Sequence, residues 1–331
     1  MHTEVVPIDA DPPDAGAIAR AAAVLRAGGL VAFPTETVYG LGASALDADA
    51  VARIFAAKGR PSNNPLIVHV ADIPDVGRVA ADWPGSAARL AERFWPGPLT
   101  LVLPKRPDLP DAVTAGGPTV AVRVPAHPVA LALIRAAGVP IAAPSANRSG
   151  YISPTRAEHV LSGLDGRIDM VLDAGQVPGG IESTVLDLTS HPPRLLRPGL
   201  VSPAEIESII GPVARPASRG EPSASPLPSP GMLARHYAPR TPLELAEDGG
   251  ARVEELRRAG LRVGWLAFGA TELAGVTVVQ MPCDPDGYAA RLYAALHALD
   301  GAGVARIIVS RPPESDEWLA VRDRLRRAAA P

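Results

Sequence analysis

The chain has 331 residues, of which 47% are hydrophobic and 20% charged, with a net charge of −3; this is length for two domains, material for a sizeable core, and a charge balance that argues against binding nucleic acid by bulk electrostatics. A lone cysteine, Cys283, excludes an internal disulfide framework and a cysteine-only metal site. The amino terminus, MHTEVVPIDADPPD, lacks an apolar h-region, and no run reaches the roughly 18 apolar residues of a membrane span, so the expectation is a soluble cytoplasmic protein.

In chain order, Asp14 can cap a helix with Ile18, Ala22 and Leu25 on its inner face, ended by Gly28 and Gly29. An apolar strand, Leu30 to Phe33, should stop at Pro34, which has no amide to give to a ladder. Thr35, Glu36 and Thr37 follow, then Gly40 and Gly42, which permit close backbone approach to a ligand. Asp49 starts a second helix that closes near Gly59; Lys58, Arg60, Ser62, Asn63 and Asn64 precede a strand, Leu66 to Val70. A helix near Ser86 to Phe94 and a Trp95-Pro96-Gly97-Pro98 turn lead to strands Leu99 to Pro104 and Thr119 to Val124. After a helix at Pro128 to Ala137, a strand at Pro140 to Ala143 opens into Pro144-Ser145-Ala146-Asn147-Arg148-Ser149-Gly150, and Ser153 or Thr155 caps the next helix. Strands follow at Ile168 to Leu172, Ser183 to Leu188 and Arg194 to Arg197, then a helix at Pro203 to Ile210. Strands and helices mix without strict alternation, which indicates an α/β or α+β fold with a twisted mixed sheet.

Gly211 to Pro230, rich in Pro, Ser, Ala and Gly, has the composition of a linker. GMLARHYAPR at its end does not, because a spacer has no use for apolar, aromatic and basic side chains together; the functional reading of this segment is a lid, with Tyr237 reaching a nucleotide. From Pro242 a new pattern of helices and strands fits a small Rossmann-like α/β domain without the G-x-G-x-x-G fingerprint. The expected domains are therefore residues 13–200, a linker at 201–241, and 242–331.

Lys58, Arg60, Arg123 and Arg197 each sit at a strand or loop edge beside polar residues. Each alone reads as a solvated charge, and together they fit an anion site. Ser145, Asn147, Ser153, Ser183, Thr35 and Thr37 have turn-forming and capping roles as their ordinary reading, and His69, inside an apolar strand, reads as a core histidine. Metal-ligand histidine spacing, a P-loop and a G-x-S-x-G elbow are absent from the sequence. The residues themselves thus point to an anion-binding pocket, of nucleotide type, with no covalent nucleophile.

PTETVYGLG, KGRPSNNPLIVHV, FWPGPLTLVL, VRVPAHP, PSANRSG, STVLDL and LRPG occur in that order. This series resembles the threonylcarbamoyl-AMP synthase family, the Sua5/YrdC/YciO group, from about Pro13 to Leu200, and SPGMLARHYAP with the carboxy-terminal domain resembles its longer Sua5 branch. The resemblance implies a YrdC-like catalytic domain with a large concave pocket. It also implies an enzyme, a nucleotidyltransferase, that joins L-threonine, bicarbonate or CO2, and ATP into L-threonylcarbamoyladenylate and pyrophosphate. That product serves the N6-threonylcarbamoyl modification of adenosine beside the anticodon in tRNAs reading codons that begin with A. By the same analogy Thr35, His69, Arg123 and Ser183 surround threonine. Lys58, Arg60, Ser62, Thr119, Ser145, Asn147, Ser153, Arg197 and Tyr237 face ATP, with Lys58 and Arg60 positioning the phosphates. Asn63 and Asn64 stand where some relatives carry a basic residue. Mg2+ is expected with the ATP phosphates rather than in a protein cage, and the downstream tRNA threonylcarbamoyl transferase machinery is the expected partner, with at most weak direct contact to tRNA and none to a membrane. Two alternatives come from other classes. A hydrogenase-maturation carbamoyltransferase would need acylphosphatase and zinc-finger segments, for which the chain has neither the length nor the cysteines. A non-catalytic RNA-binding module would need a basic stripe with interleaved aromatics.

Overall fold

The structure is a computed structural model and describes residues 2–215, 235–269 and 271–330. The chain divides into two compact units. The first comprises Met1–Ser149, Pro154–Pro178 and Glu182–Met232; the second comprises Gly150–Ser153, Gly179–Ile181 and Leu233–Pro331. Most of the linker expectation, and Met232 and Leu233 after it, lie outside the described residues.

The first unit is built on a ten-stranded mixed sheet. Its strands are β1 (Glu4–Pro7), β2 (Val31–Pro34), β3 (Tyr39–Ser44), β4 (Ile67–His69), β5 (Leu99–Pro104), β6 (Thr119–Arg123), β7 (Ile141–Ala142), β8 (Met170–Asp173), β9 (Thr184–Asp187) and β10 (Arg194–Arg197). They lie in the order β1-β8-β2-β3-β7-β4-β6-β5-β9-β10. The helix Ala15–Arg26 packs its Ile18, Ala21, Ala22 and Leu25 against helix Pro128–Ala137 and the sheet, in one apolar cluster with Val31, Phe33 and Leu133. Each fully buried Leu or Phe there contributes about 1.5–3 kcal/mol. Asp14 caps the first helix, accepting from the Ala17 amide at 2.6 Å, a bond of about 1 kcal/mol.

Several boundaries differ from expectation for local reasons. Pro34 is the last residue of β2, as expected, but it still pairs with Tyr39 at the final step of the antiparallel ladder from Val31. The YGLGA stretch is a buried strand, β3, not a loop. A Cβ at Gly42 would lie 2.7 Å from the Phe33 ring and 2.8 Å from Ile141, so this glycine serves close packing within the sheet. The second helix is Ala48–Lys58, capped by Asp47 rather than Asp49, and it ends on Gly59 in the left-handed region (φ 59°). Neither Ser153 nor Thr155 caps the helix Ala157–Leu164, which starts after Arg156 with no side-chain cap.

The second unit has a four-stranded parallel sheet, β11 (Leu243–Ala246), β12 (Val263–Phe268), β13 (Thr277–Met281) and β14 (Arg306–Ser310), in the order β11-β14-β12-β13. Helices Gly249–Arg258, Pro285–Gly301 and Leu319–Ala328 accompany it. This is the expected small α/β architecture, with β11 (LELA) as a strand that the sequence pattern did not single out. Among the described residues no helix is long and apolar enough to cross a membrane.

Candidate active site

In the first unit, β4 and β6 are parallel neighbours in which His69 stands opposite Arg123, so both side chains share one face of the sheet. Arg123 is 3% exposed. Its Nε donates to the Gly97 carbonyl and its Nη1 to Thr37 Oγ1, both at 3.1 Å, while Nη2 lies 2.6 Å from Glu36 Oε1. This last pair is close but off-axis: neither Glu36 oxygen nor Nη2 makes a hydrogen bond, although all three atoms are shielded from solvent. Thr35 Oγ1 donates to Val38 O at 2.7 Å and accepts from the Thr37 hydroxyl at 2.8 Å and from the Thr37 and Val38 amides, which fixes the turn between β2 and β3. By the ladder, β2 runs antiparallel to β4 and β6. The carboxyl ends of β2 and β6 therefore lie at opposite ends of the sheet, and the Thr37–Arg123 bond joins the β2–β3 turn to β6 across its face. His69, Arg123 and Arg197, at the carboxyl ends of β4, β6 and β10, and Ser183, just before β9, nonetheless share one edge of the sheet.

His69 meets Phe33 edge-on, with ring centroids 6.3 Å apart, and its Nδ1 has no hydrogen-bond partner. Burial first, and then the Arg123 charge, push the ring down to about 3, so it is neutral at neutral pH. Its place in β4 is in the core, as the residue type alone suggested.

Gly97 leads into β5, and Thr100 on β5 shares a 2.8 Å hydroxyl contact with the fully buried Ser183. Arg197, at the end of β10, donates to the Ser183 carbonyl at 3.0 Å and to its hydroxyl at 3.1 Å. Lys58 closes a helix, and its ammonium donates to the Ser145 carbonyl at 2.6 Å and to the Asn147 carbonyl. Ser145 Oγ in turn donates to Asn147 Oδ1 at 2.6 Å. Burial, then repulsion from Arg60, hold the Lys58 pKa well below the usual amine range, against the attraction of Glu182. Arg60 donates through Nε to Asn64 O at 2.9 Å and through Nη2 to Asn64 Oδ1 and Pro65 O, both at 2.7 Å. Asn64 therefore orients Arg60.

The four cations Lys58, Arg60, Arg123 and Arg197 are 2%, 8%, 3% and 4% exposed. A solvated surface charge would not be desolvated this far; a buried cation needs protein partners, a bound anion or both. The structure does not bring every expected residue into these networks. Ser62 is exposed, and Thr119 is half-buried at the start of β6 opposite Pro104. Ser153 and Tyr237 belong to the second unit. The Ser153 carbonyl there meets His297 Nε2 at 3.1 Å.

The comparisons with known proteins agree with this arrangement of motifs. A family model described as "Telomere recombination", covering the Sua5, YciO and YrdC proteins, matches residues 23–199. A second, described as "Threonylcarbamoyl-AMP synthase, C-terminal domain", matches residues 201–330. The chain belongs to the Sua5/YciO/YrdC family. It is 48% identical to the threonylcarbamoyl-AMP synthase of Bacillus subtilis, covering 94% of this chain and 92% of that protein. It is 46% identical to that of Pyrococcus abyssi, with 93% of each chain covered. The crystal structure of P. abyssi Sua5 complexed with L-threonine superposes with a TM-score of 0.92 at 44% identity, over 99% of this chain and 98% of that one.

Within this Sua5-family chain, His236 and Tyr237 are 6% and 1% exposed, packed inside the second unit. The Tyr237 ring stacks on Tyr293 (5.7 Å, 29°) and lies under the Arg324 guanidinium at 5.1 Å. A ring so held is packed within the second unit rather than exposed. Sequence reasoning missed Glu36 as part of the site. Its one visible signal was a carboxylate set between two threonines before a glycine-rich strand.

Proposed function

We propose that this protein is an L-threonylcarbamoyladenylate synthase, making threonylcarbamoyl-AMP and pyrophosphate from L-threonine, bicarbonate or CO2, and ATP in the cytoplasm. The observation that carries the reading is the group of four nearly fully buried cations in the unit matched by the family model. Arg123, beside the hydroxyls of Thr35 and Thr37, suits an amino-acid carboxylate, for which a guanidinium presents a matching fork. Ser183 and His69 complete that side. Lys58 and Arg60, with Ser145, Asn147 and Arg197, suit the triphosphate, and Ser62, Thr119, Ser153 and Tyr237 remain nucleotide-side candidates by family analogy.

The chemistry matches these roles. Threonine's neutral amine attacks CO2 with loss of a proton, or bicarbonate with loss of water, to form a carbamate, and a carbamate oxygen then attacks the α-phosphorus as pyrophosphate leaves. In-line displacement at phosphorus needs positioning and charge neutralisation more than a protein nucleophile. Lys58 and Arg60 hold the leaving phosphates; the desolvated site protects the carbamate from water. Magnesium would enter on the phosphates of ATP and neutralise part of their charge. Among the described residues no group of three His, Cys, Asp or Glu side chains is placed to cage a metal. The adenylate would pass to the tRNA threonylcarbamoyl transferase machinery.

Pyrophosphate release tests the reading, with ATP, threonine and bicarbonate omitted in turn. Release should require all three substrates, and equal turnover without threonine would refute it.

A further inference from the structure

We propose that Glu36 is the carboxylate that receives the α-ammonium group of the amino-acid substrate, so that Glu36 and Arg123 together form a receptor for a zwitterion. The inference rests on the reading above that Arg123 holds the substrate carboxylate.

Three atoms carry it. Glu36 Oε1, Glu36 Oε2 and Arg123 Nη2 are each shielded from solvent, and each lacks a hydrogen-bond partner. Buried polar atoms without partners are uncommon, and those of charged groups are the costliest to leave so. The two groups stand 2.6 Å apart without the alignment that a carboxylate–guanidinium pair adopts when it serves only itself. Arg123 is anchored elsewhere, through Nε to Gly97 and through Nη1 to Thr37, so Glu36 is not needed to fix its direction. The turn that presents Glu36 is locked by four contacts of the Thr35 hydroxyl. The site therefore presents a fixed cation with donors to spare beside a fixed anion with acceptors to spare. An α-amino acid is the complement: its carboxylate takes donors, and its ammonium, one carbon away, offers three N–H groups to acceptors. His127 also feels the Glu36 charge, but its Nδ1 accepts from the Val129 amide at 3.2 Å and its ring makes no hydrogen bond to either Glu36 oxygen.

The test uses the full-length protein and two ligands, L-threonine and 3-hydroxybutyrate, which is threonine without its amine. Calorimetry or competition should find wild-type protein binding 3-hydroxybutyrate at least about tenfold more weakly than threonine. Glu36→Gln, which keeps the shape and removes the charge, should weaken threonine by about tenfold or more while changing 3-hydroxybutyrate little; Glu36→Asp should recover part of the loss. Equal affinity of the wild type for both ligands would overturn the proposal without any variant. So would parallel losses for both ligands in Glu36→Gln, because Glu36 would then only orient Arg123. Arg123→Ala separates the two layers. Threonine binding lost in Arg123→Ala but kept in Glu36→Gln overturns the Glu36 assignment alone, whereas binding kept in both overturns the reading of the site with it.

Discussion

Lys58 in the first unit and Arg324 in the second are both cations taken almost wholly out of water, at 2% and 0% exposure, and they are held differently. Lys58 donates to the carbonyls of Ser145 and Asn147. Arg324 donates to the Asp323 carboxylate at 2.9 Å and covers the Tyr237 ring. Carbonyl dipoles satisfy the Lys58 donors without a direct ion pair, while burial and Arg60 disfavour its charged form against the attraction of Glu182, so an incoming anion would hold Lys58 charged. A carboxylate and a π-face neutralise the cation locally, and what remains is adhesion. The degree of burial is the same; the partner tells a site charge from a structural one. Glu36 and Arg123 fall between the two, an opposite pair in which both Glu36 oxygens and Arg123 Nη2 make no hydrogen bond.

The comparison breaks first on Tyr237. If the Arg324 cluster is structural, Tyr237→Ala should destabilise the ligand-free protein by about 3–5 kcal/mol, the range for deleting a fully buried ring. Tyr237 holds a positive φ of 61°, unfavourable for a non-glycine residue, and the packing around its ring must offset that strain. Thermal and urea denaturation read the loss directly. An unchanged melting temperature would mean that the ring is not part of the second unit's core and would return Tyr237 to a mobile role.

Lys58 should behave in the opposite way. Lys58→Met removes a desolvated charge and keeps most of the volume, so stability should change little, while ATP binding weakens by about 1.5–3 kcal/mol, tenfold or more. Calorimetry with ATP and a melting curve on the same sample separate the two effects. A large loss of stability with ATP affinity intact would place Lys58 with Arg324.

Which of these distinctions the sequence carried depends on the physics behind each. Apolar periodicity and glycine punctuation located most strands and helices, including Pro128–Ala137 and Pro203–Ile210 to the residue. They failed at β3, because Gly40 and Gly42 dilute the apolar signal of a strand in which Gly42 is there for close contact with Phe33 and Ile141. Caps slipped by two residues at Asp47 because Asp49 is also an acidic starter, and only the bonds from the Asp49 and Ala50 amides decide between them. In the site, ordered motifs brought forward Thr35, Lys58, Arg60 and Arg123. No pattern in one chain could show that Thr37 reaches across the sheet to Arg123, that Glu36 lies beside that guanidinium with both oxygens unsatisfied, or that Tyr237 is packed under Arg324. Those facts depend on tertiary contacts between residues far apart in sequence.

The smallest expected effect separates the units along the pH axis. His69 is neutral in the folded first unit, its pKa pushed down to about 3 by burial and by Arg123, whereas a histidine in the unfolded chain takes a proton near pH 6.5. Between these values the unfolded chain binds the extra proton. The stability His69 contributes is therefore complete above about pH 6.5 and is lost on acidification, by roughly 1 kcal/mol per pH unit. His159, in the same unit, adds a shorter window ending at about 4, set by burial and then Arg156. In the second unit Glu244 has its pKa lowered chiefly by the hydrogen bond from Arg252, with Arg306 adding to it. A depressed carboxylate keeps its stabilising charge until the pH falls below the unfolded carboxylate range, near 4.3. Acidification from pH 7 to 5 should therefore weaken the first unit while leaving the Glu244 ion pairs intact. Histidine ring signals followed by NMR should stay in the neutral form for His69 down to pH 5, and hydrogen exchange should quicken in strands β4 and β6 before β11 and β14. A His69 ring that titrates near 6.5 would show that Arg123 and burial do not act on it in the folded protein.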